Sequence, residues 1–562
     1  MNDLTFDVVI VGYGPVGAIA ANYLGMYGIK TAVFEQELDV YHLPRAIGFN
    51  HEIMRIFQQL GLHHQIDQVA TPIDGVEFLN QSHKVLFEIE LSKTCLTYNF
   101  APNYVFYQPD LETKLREGVK RFDCVKINLA HAVESVTQDP QGVTVTVKNL
   151  NSDREIWAAS NRTYQVQAKY VLGCDGGRSI TRQQAGIELH DFGFHQRQLV
   201  VDTLLTAEVD LPSKVQQLCD TRRPGVFVHS TNNHRRWEFV LAPDETKEAM
   251  ERPEKVRELL STYWINPDKL KIIRAVVYHF HSLIALQWRS DRIFIVGDAA
   301  HQMPPILGQG MCSGIRDAQN LCWKLDLVLK GLAPDKLLDT YQTERLPHVQ
   351  EIVKLATRAF KIFKTRNPFL AWVRDIVLRI LRRNNRRFQN VGSDMPPLKH
   401  GILANSLEDK QSVAGQMFIQ PQVLNKTGQL VLLDHILGNS FAILGLDTDW
   451  LKVITAESEA FLSNLPLKLI CVVPQISVSD RSTKFPDRVE LIEDTSQQIS
   501  DWLAKQQTEI VIIRPDRYVF GTCDRQELNA IVQQLQSCLI GDAPLSNKKQ
   551  LATNNYQFTT TN

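Results

Sequence analysis

The sequence predicts an α/β fold in which a parallel sheet is interrupted by long insertions and is followed by a second α/β unit. Apolar β-runs at residues 6–11, 170–173 and 292–296 are typical of strands buried on both faces of a parallel sheet. Each run is followed within three residues by glycine, and the last two are also followed by an aspartate. Open α/β sheets bind their ligands at such strand ends. Further β-runs beyond residue 400 predict the second unit.

A chain of 562 residues is too long for one hydrophobic core, so we expect several domains. The predicted boundaries are 1–187 and 291–395 for two parts of the parallel-sheet domain, 188–290 for an inserted sheet, 400–545 for a C-terminal domain and 546–562 for a tail. The tail is polar and has no periodicity, which predicts disorder.

The composition is that of an ordinary globular protein, with 44% apolar and 22% charged residues. Because 61 basic residues balance 62 acidic ones, nucleic acid is not expected as a partner. Nine cysteines without a C-x-x-C pair favour reduced thiols over a disulfide framework or a metal site. No signal peptide and no apolar run of about 18 residues is evident, so we expect a cytoplasmic protein without a membrane span.

The first β-run opens a dinucleotide fingerprint, GYGPVG, followed by a small-residue helix and a second strand. Gly12 allows the tight turn, Gly14 lets the backbone approach a pyrophosphate, and Gly17 lets helix and strand pack closely. Glu35 follows Gly17 by 18 residues and is placed to accept hydrogen bonds from ribose hydroxyls, which disfavours a 2′-phosphate. FAD and NAD both remain open. The predicted contact set also includes Pro15 and Val16.

A second candidate site covers residues 297–314, which read GDAAHQMPPILGQGMCSG. Asp298 follows a β-run, a Pro-Pro turn comes next, and closely spaced glycines open a helix. A helix N-terminus presents free N–H groups to an anion or an electron-rich ring. This stretch therefore predicts a flat, polar and partly anionic ligand. The alternative for Asp298 is a simple helix cap.

The order of GYGPVG, CDGGRS and GDAAHQMPP with GQGM resembles that of the single-component flavoprotein aromatic hydroxylases (class A), typified by para-hydroxybenzoate hydroxylase. More narrowly, residues 314–325 (GIRDAQNLCWKL) and 341–348 (YQTERLPH) are similar to motifs of the 3-(3-hydroxyphenyl)propionate hydroxylases. The resemblance implies a Rossmann-like FAD domain of the GR2 type, an inserted antiparallel substrate sheet and a thioredoxin-like C-terminal domain.

The resemblance also implies how FAD is held. Asp175 would contact FAD and NAD(P)H, and Asp298 would bind the ribityl chain. Arg45 would lie near the FAD phosphates and ring, although a surface arginine is the alternative. Gln108 would bond the flavin side chain, and a helix cap is its alternative. The segment lying against the flavin edge and its flank comprises Gly297, Pro305, Gly308, Gln309, Gly310 and Met311.

The activity that the resemblance implies is hydroxylation of a phenolic ring by O2, with NADH or NADPH as a transient reductant. The implied substrate is 3-(3-hydroxyphenyl)propionate or 3-hydroxycinnamate, giving the 2,3-dihydroxy product. Another phenol such as resorcinol, or a polyketide or antibiotic ring, is the alternative within the class. A flavin or NAD dehydrogenase and a non-enzymatic flavin-binding scaffold are the alternatives outside it. The catalytic base is unidentified, and His301 is a weak candidate.

The insertion at 188–290 is predicted to form an antiparallel sheet that covers the active site, with strands near 199–204, 225–229 and 236–241. The phenolic substrate would contact side chains of this sheet. A structural role is equally compatible with each candidate. The candidates are Asp202, Arg223, His229 and Trp237.

Residues 350–390 are predicted to be helical and basic, and a helix packed on its own protein is favoured over a membrane-surface helix. The C-terminal domain ends in RPDRYV, which is similar to the ending of the larger hydroxylases. It lacks C-x-x-C, so a redox role is not expected and a packing or oligomerisation role is. A homodimer is one such assembly.

Overall fold

The computed structural model describes residues 4–91, 98–150, 163–383, 395–405, 412–474 and 488–541. It divides into two compact units, the first formed by Met1–Cys322 with Val349–Met395 and the second by Trp323–His348 with Pro396–Asn562. The predicted disordered tail at 546–562 lies outside the described residues.

Nineteen strands lie in the described part of the first unit. In chain order they are β1 (Thr5–Val11), β2 (Thr31–Glu35), β3 (Gly48–Asn50), β4 (Ala70–Pro72), β5 (Gly75–Leu79), β6 (Val85–Glu90), β7 (Asn103–Phe106), β8 (Val125–Leu129), β9 (His131–Gln138), β10 (Val143–Asn149), β11 (Thr163–Gly173), β12 (Leu189–Leu205), β13 (Val215–Leu218), β14 (Gly225–His229), β15 (His234–Val240), β16 (Leu270–Ala285), β17 (Arg289–Ser290), β18 (Ile293–Ile295) and β19 (His301–Gln302). The second unit contains β20 (Gln422–Asn425), β21 (Leu430–Leu432), β22 (Phe441–Leu446), β23 (Leu467–Val473), β24 (Val489–Glu493), β25 (Ile510–Ile513) and β26 (Val519–Cys523).

The α-helices that the structure describes are α1 (Pro15–Met26), α2 (His51–Gln59), α3 (His63–Asp67), α4 (Gln108–Val119), α5 (Ile180–Gln184), α6 (Lys247–Met250), α7 (Pro253–Tyr263), α8 (Gln309–Leu329), α9 (Thr340–Phe363), α10 (Pro368–Arg383), α11 (Leu433–Leu437), α12 (Ala456–Leu462), α13 (Gln498–Lys505) and α14 (Leu528–Ile540). Two short 3-10 helices at Gly297–Ala299 and Pro305–Leu307 lie between β18 and α8.

The predicted parallel sheet is present and confirms the fold class. Its strand order is β17-β18-β11-β1-β2-β8, and every pair from β18 to β8 is parallel. Val8, Val9 and Ile10 of β1 are fully buried, as expected for a central strand covered on both faces. Because β1, β11 and β18 run in the same direction, the residues that follow them share one edge of the sheet.

The substrate sheet has eight strands in the order β19-β16-β12-β15-β14-β13-β5-β6. The predicted strands at 199–204, 225–229 and 236–241 correspond to β12, β14 and β15. All pairs are antiparallel except β13 with β5. Strands β5 and β6 come from outside the predicted range 188–290, since pairing across this distance leaves no local sequence pattern.

Each central strand of this sheet divides its side chains between two faces, because successive residues point in opposite directions. One face packs under α7, where Trp237 and Phe239 of β15 join Leu199 and Val201 of β12 in a buried apolar cluster. The opposite face carries the side chains in between, and this face forms a wall of the candidate site. They are Val200, Asp202, Arg236, Glu238 and Val240.

The predicted helical region consists of α9 and α10. Ala371, Arg374 and Leu378 of α10 are buried, whereas Trp372 and Ile380 are more than half exposed. One face of α10 is thus packed, as the favoured prediction requires, and an apolar stripe is left exposed. Within the described ranges no helix is long and apolar enough to cross a membrane.

The second unit contains a mixed sheet in the order β21-β20-β24-β23-β22-β25-β26. Strands β22, β23 and β24 are parallel neighbours, and β25 and β26 continue the sheet in antiparallel pairs. The predicted runs near 430, 441, 468 and 510 coincide with β21, β22, β23 and β25. A mixed α/β sheet in this unit is consistent with the predicted thioredoxin-like C-terminal domain.

A fully buried ion network lies within the second unit. Arg514 donates to the carboxylates of Glu344 and Asp516, both at 2.7 Å, and Lys324 Nζ donates to Glu344 at 2.9 Å. At most 1% of each side chain in these pairs is exposed. Burial lowers the pKa of Lys324 to about 8, although Glu344 opposes that shift. The network thus joins three sequence motifs, at residues 314–325, at residues 341–348 and in the RPDRYV segment that begins at Arg514.

Replacing Glu344 by Gln should destabilise this unit. Two buried cations would lose their shared counter-charge, and removing one partner of a buried ion pair costs about 3–5 kcal/mol. Urea unfolding followed by tryptophan fluorescence measures the loss. Lys452→Gln is the matched control, because Lys452 pairs with Asp449 on the exposed surface and its loss should leave the midpoint unchanged. Equal midpoints for Glu344→Gln and wild type would contradict this account.

Candidate cofactor and substrate site

The fingerprint loop is built by two close backbone approaches. A Cβ at Gly17 would lie 2.1 Å from the Gly12 carbonyl oxygen, and one at Gly12, where φ is +94°, would lie 2.5 Å from that of Cys174. Only glycine fits at either position. By contrast, a Cβ at Gly14 would meet nothing within 4 Å, so the backbone borders open space there.

No side chain caps the N-terminus of α1, which therefore presents its N–H groups and positive dipole end to an anion. Pro15 occupies the first turn and Val16 packs beside Gly297 and Gly314.

Glu35 is held against this loop. One carboxylate oxygen accepts from the Tyr13 amide at 2.7 Å, and the other accepts from the Glu37 amide at 3.1 Å. The side chain stays half-buried at the end of β2, so lone pairs remain for a ribose diol.

The two strand-end aspartates have different surroundings. Both oxygens of Asp175 accept hydrogen bonds from the first turn of α5, from the Ser179 hydroxyl and from the Thr181 amide and hydroxyl. Asp298 keeps an accessible side chain although many protein atoms surround it. Burial raises the pKa of Asp298, and nearby His301 and Arg45 oppose the rise. Asp298 thus has room for a ligand.

The segment before α8 also borders open space. Pro305–Leu307 forms a 3-10 turn that ends at Gly308 with φ +64°, and nothing lies within 4 Å of a Cβ there. Gln309 begins α8, and its amide oxygen accepts from Arg316 at 3.1 Å. Gly310 is nearly as open, with only Met303 at 4.0 Å, and Met311 is half-buried. A flat ring can approach this backbone without displacing a side chain.

The loop that carries Arg45 is fixed from two sides. On one side, the Gln108 side-chain oxygen accepts from the amides of Arg45 and Ala46 at 2.7 and 2.8 Å. On the other side, Arg236 of β15 donates to the carbonyls of Pro44 and Arg45 at 2.8 and 2.9 Å. The Arg45 guanidinium stacks over Tyr41, 5.0 Å from the ring centroid.

Asp202 completes this arrangement as the centre of a buried ion cluster. Its carboxylate accepts from Nε of Arg236 at 2.7 Å and from Nε of Arg274 at 3.0 Å. Arg274 also donates to the Pro44 carbonyl and, at 2.7 Å, to the Tyr278 hydroxyl. The predicted substrate residue Asp202 is therefore engaged with two arginines that the sequence analysis had not selected.

The other predicted substrate residues lie in varied places. Arg223 donates to both oxygens of Glu245, Trp237 is buried in the cluster under α7, and His229 is half-buried at the end of β14. Burial lowers the pKa of His229, and nearby Arg235 lowers it further.

His301, the candidate base, is fully buried. Its Nε2 lies 2.6 Å from Asp317, and its Nδ1 has no hydrogen-bond partner among the described residues. His301 is thus paired with Asp317 inside the protein.

Glu238 is an acidic residue that the sequence analysis passed over. It lies between Trp237 and Phe239, whose side chains point into the core under α7, so its own side chain points to the opposite face. Protein surrounds this carboxylate, yet it keeps accessible surface, as Asp298 does. In the sequence, the feature that could have identified Glu238 is its place between two aromatic residues of a predicted strand.

FAD fits the donor set at this edge of the sheet. The uncapped start of α1 and the open space at Gly14 suit a pyrophosphate, Glu35 suits a ribose, and Asp298 suits a hydroxylated chain. The open backbone at Gly308 suits the flat flavin ring.

Comparison with known proteins agrees with this geometry. Residues 5–356 match the family described as FAD binding domain, and residues 415–538 match the HcaD C-terminal domain. A 3-(3-hydroxy-phenyl)propionate/3-hydroxycinnamic acid hydroxylase of Escherichia coli (strain 55989 / EAEC) is 33% identical, covering 95% of this chain and 94% of the relative. A probable NADH-specific resorcinol 4-hydroxylase of Rhodococcus jostii (strain RHA1) is 36% identical, covering 94% of each chain.

Solved structures share the fold. The flavin-dependent monooxygenase PieE, in complex with FAD and substrate, aligns with a TM-score of 0.79 at 21% identity, over 96% of this chain and 100% of that one. Aklavinone-11 hydroxylase, with FAD and aklavinone, aligns with a TM-score of 0.75 at 20% identity, over 95% and 99%.

Replacing Gln108 by Ala should weaken FAD binding by up to about 30-fold. The change leaves the amides of Arg45 and Ala46 without their acceptor, and each lost hydrogen bond is worth about 1 kcal/mol. Recovery of flavin fluorescence on dissociation measures the affinity. Gln65→Ala, at an exposed position on α3, is the control and should bind FAD as wild type does. Undiminished FAD affinity in Gln108→Ala would show that the loop does not depend on this side chain.

Proposed function

Since this chain belongs to the family of FAD-dependent aromatic hydroxylases, we propose that it hydroxylates a meta-substituted phenol with O2, using NADH as the reductant. The observation that carries the proposal is the cleft at the carboxyl ends of β1 and β18, where an uncapped helix start and the accessible Asp298 meet open backbone. NADH is favoured over NADPH because one relative is named as NADH-specific.

We assign the cofactor contacts as follows. The N-terminus of α1 with Gly12, Gly14 and Gly17 holds the pyrophosphate, and Glu35 holds a ribose. When bound, FAD supplies the electron transfer from the nicotinamide and the activation of O2. The chain's own residues orient FAD and the phenol and keep water out of the cleft. The remaining proposed contacts are Pro15, Val16, Arg45, Gln108, Asp175, Gly297, Asp298, Pro305, Gly308, Gln309, Gly310 and Met311.

The first substrate candidate is 3-(3-hydroxyphenyl)propionate or 3-hydroxycinnamate, giving the 2,3-dihydroxy product. It follows from the name of the Escherichia coli relative and from the motifs at 314–325 and 341–348. Both compounds carry a carboxylate, which normally requires a cationic partner when it is buried.

Resorcinol is the second candidate, and one observation favours it. The two arginines on the inner face of the substrate sheet, Arg236 and Arg274, are engaged by Asp202 and by the Pro44 carbonyl. Few guanidinium N–H groups of these two arginines therefore remain to bind a substrate carboxylate. An uncharged phenol makes no such demand, and the Rhodococcus jostii relative is named for resorcinol.

A dehydrogenase built on the same dinucleotide fingerprint is the rival class. It would oxidise NADH or a substrate without placing oxygen on the product. A flavin-binding scaffold would take up FAD and turn over nothing.

We place the protein in the cytoplasm. All eight cysteines among the described residues are free thiols, which fits a reducing compartment.

The purified protein should be yellow and should oxidise NADH faster when a phenolic substrate is added. The panel contains 3-(3-hydroxyphenyl)propionate, 3-hydroxycinnamate and resorcinol, and mass spectrometry of products formed under 18O2 is the measurement. One labelled oxygen atom per product is expected. NADH oxidation that yields only hydrogen peroxide, or a colourless protein that takes up no FAD, would refute the proposal.

A further inference from the structure

We propose that Glu238 contacts the substrate, and that its carboxylate accepts first the hydrogen bond and then the proton of the phenolic hydroxyl. This rests on the proposed function, because it requires a phenol in the cleft. It assigns to the expected base a residue that the family motifs do not supply.

The position of Glu238 follows from strand geometry. On β15 it stands opposite Val200 of β12 and Val226 of β14. Its neighbours Trp237 and Phe239 are completely buried in the cluster under α7, so strand alternation turns Glu238 to the other face.

That face lies beside the segment proposed to bind the flavin ring. Val240, two residues further along the same face, packs with Phe194 and Phe360. Ile306, from the turn that precedes Gly308, packs against the same cluster. The wall that carries Glu238 and the start of α8 are thus joined through this cluster. Since the Glu238 side chain retains accessible surface inside the protein, the space in front of it can hold a ligand.

The carboxylate has no partner within the described residues, neither a hydrogen-bond donor nor an ion pair. The charged groups that face it are engaged elsewhere. Arg236 on the same strand and Arg274 on β16 are both paired with Asp202 of β12. Lys364, at the end of α9, donates to the Gly225 carbonyl at 2.6 Å.

An unpaired carboxylate among valines is costly, and such groups concentrate at functional sites. Burial raises the pKa of Glu238, while Arg236 and Lys364 oppose the rise. A carboxylate with a raised pKa is a stronger base, which brings it closer to the basicity needed to deprotonate a phenol.

The proton transfer balances within the overall reaction. The phenolic O–H bond breaks as the Glu238 carboxylate gains the proton, and the resulting phenolate is more electron-rich at its ortho and para carbons. O2 supplies one oxygen atom to the ring and the other to water, and NADH supplies the two electrons. The ring carbon that receives the oxygen atom loses its hydrogen as a proton. Glu238 then returns to the phenolate oxygen the proton that it had taken from the phenol.

The test is Glu238→Gln, which keeps the shape of the side chain and removes the charge. The FAD-loaded protein is titrated anaerobically with resorcinol in the absence of NADH, and ultraviolet difference spectra report bound phenolate. Wild type should bind phenolate at a pH below the pKa of free resorcinol, whereas the variant should bind only the neutral phenol. In turnover, kcat/KM should fall about 100-fold, and the acid limb of its pH profile should disappear.

Thermal stability separates this role from a structural one. Because the folded-state pKa of Glu238 is raised, the ionised side chain costs stability as pH rises through that pKa. Glu238→Gln should therefore raise Tm at pH 8 more than at pH 5. A carboxylate needed for folding would give a lower Tm instead, and that result would overturn the proposal.

Two further variants complete the design. Glu238→Asp retains a carboxylate and should keep the phenolate signal. Glu77→Gln on β5 of the same sheet, where the carboxylate accepts from Gln216 at 2.8 Å, should behave as wild type. If wild type hydroxylates phenols and Glu238→Gln matches it in both phenolate signal and kcat/KM, the role of Glu238 is refuted while the proposed function stands. If wild type with FAD hydroxylates no phenol, the proposed function fails and this inference with it.

Discussion

The carboxylate of Asp202 is the contact on which the candidate site depends. It holds Arg236 and Arg274 side by side on the substrate sheet, and these arginines bind the backbone carbonyls of Pro44 and Arg45. Without Asp202, two cations would repel each other in a buried environment, where an unpaired charge costs several kcal/mol. With it, the sheet and the parallel-sheet domain are fixed to each other at one loop. The position of Arg45 is therefore set by residues about 160 to 230 positions away in the chain.

Asp202 and Glu238 illustrate how two carboxylates on one face acquire different roles. Asp202 is paired with two arginines, and its carboxylate holds them in place. Glu238 stands beside Val200, Val226 and Val240 and forms no ion pair among the described residues, which is why we propose it as the substrate contact. Environment separates carboxylates into structural and reactive roles in many enzymes. Asp202 and the backbone carbonyls of Pro44 and Arg45 engage both arginines of this face. The acidic Glu238, by contrast, has no ion pair among the described residues.

The elements that could be predicted from sequence are those specified by neighbouring residues. The turn at Gly12, the close approach at Gly17 and the acid at Glu35 lie within one βαβ unit, so their spacing alone determines their geometry. Pairings between distant segments could not be predicted in this way. The Asp202–Arg274 pair joins residues 72 positions apart, and β5 joins β13 across a larger gap. For the same reason the sequence could not show that Asp202 forms buried ion pairs with Arg236 and Arg274.

The motifs that indicate the family contain charged residues that also pair with distant segments of the chain. In the structure their charged or titratable residues form buried pairs: Arg316 with Glu52, Asp317 with His301, and both Lys324 and Arg514 with Glu344. Such pairs demand particular residues at particular positions, because removing one partner leaves an unpaired buried charge. Under the role proposed for Glu238, a single strand position on the inner face of the substrate sheet sets the charge that this face offers to the ring. Two relatives of similar identity to this chain are named for different phenols, so membership of the family does not by itself specify the phenol.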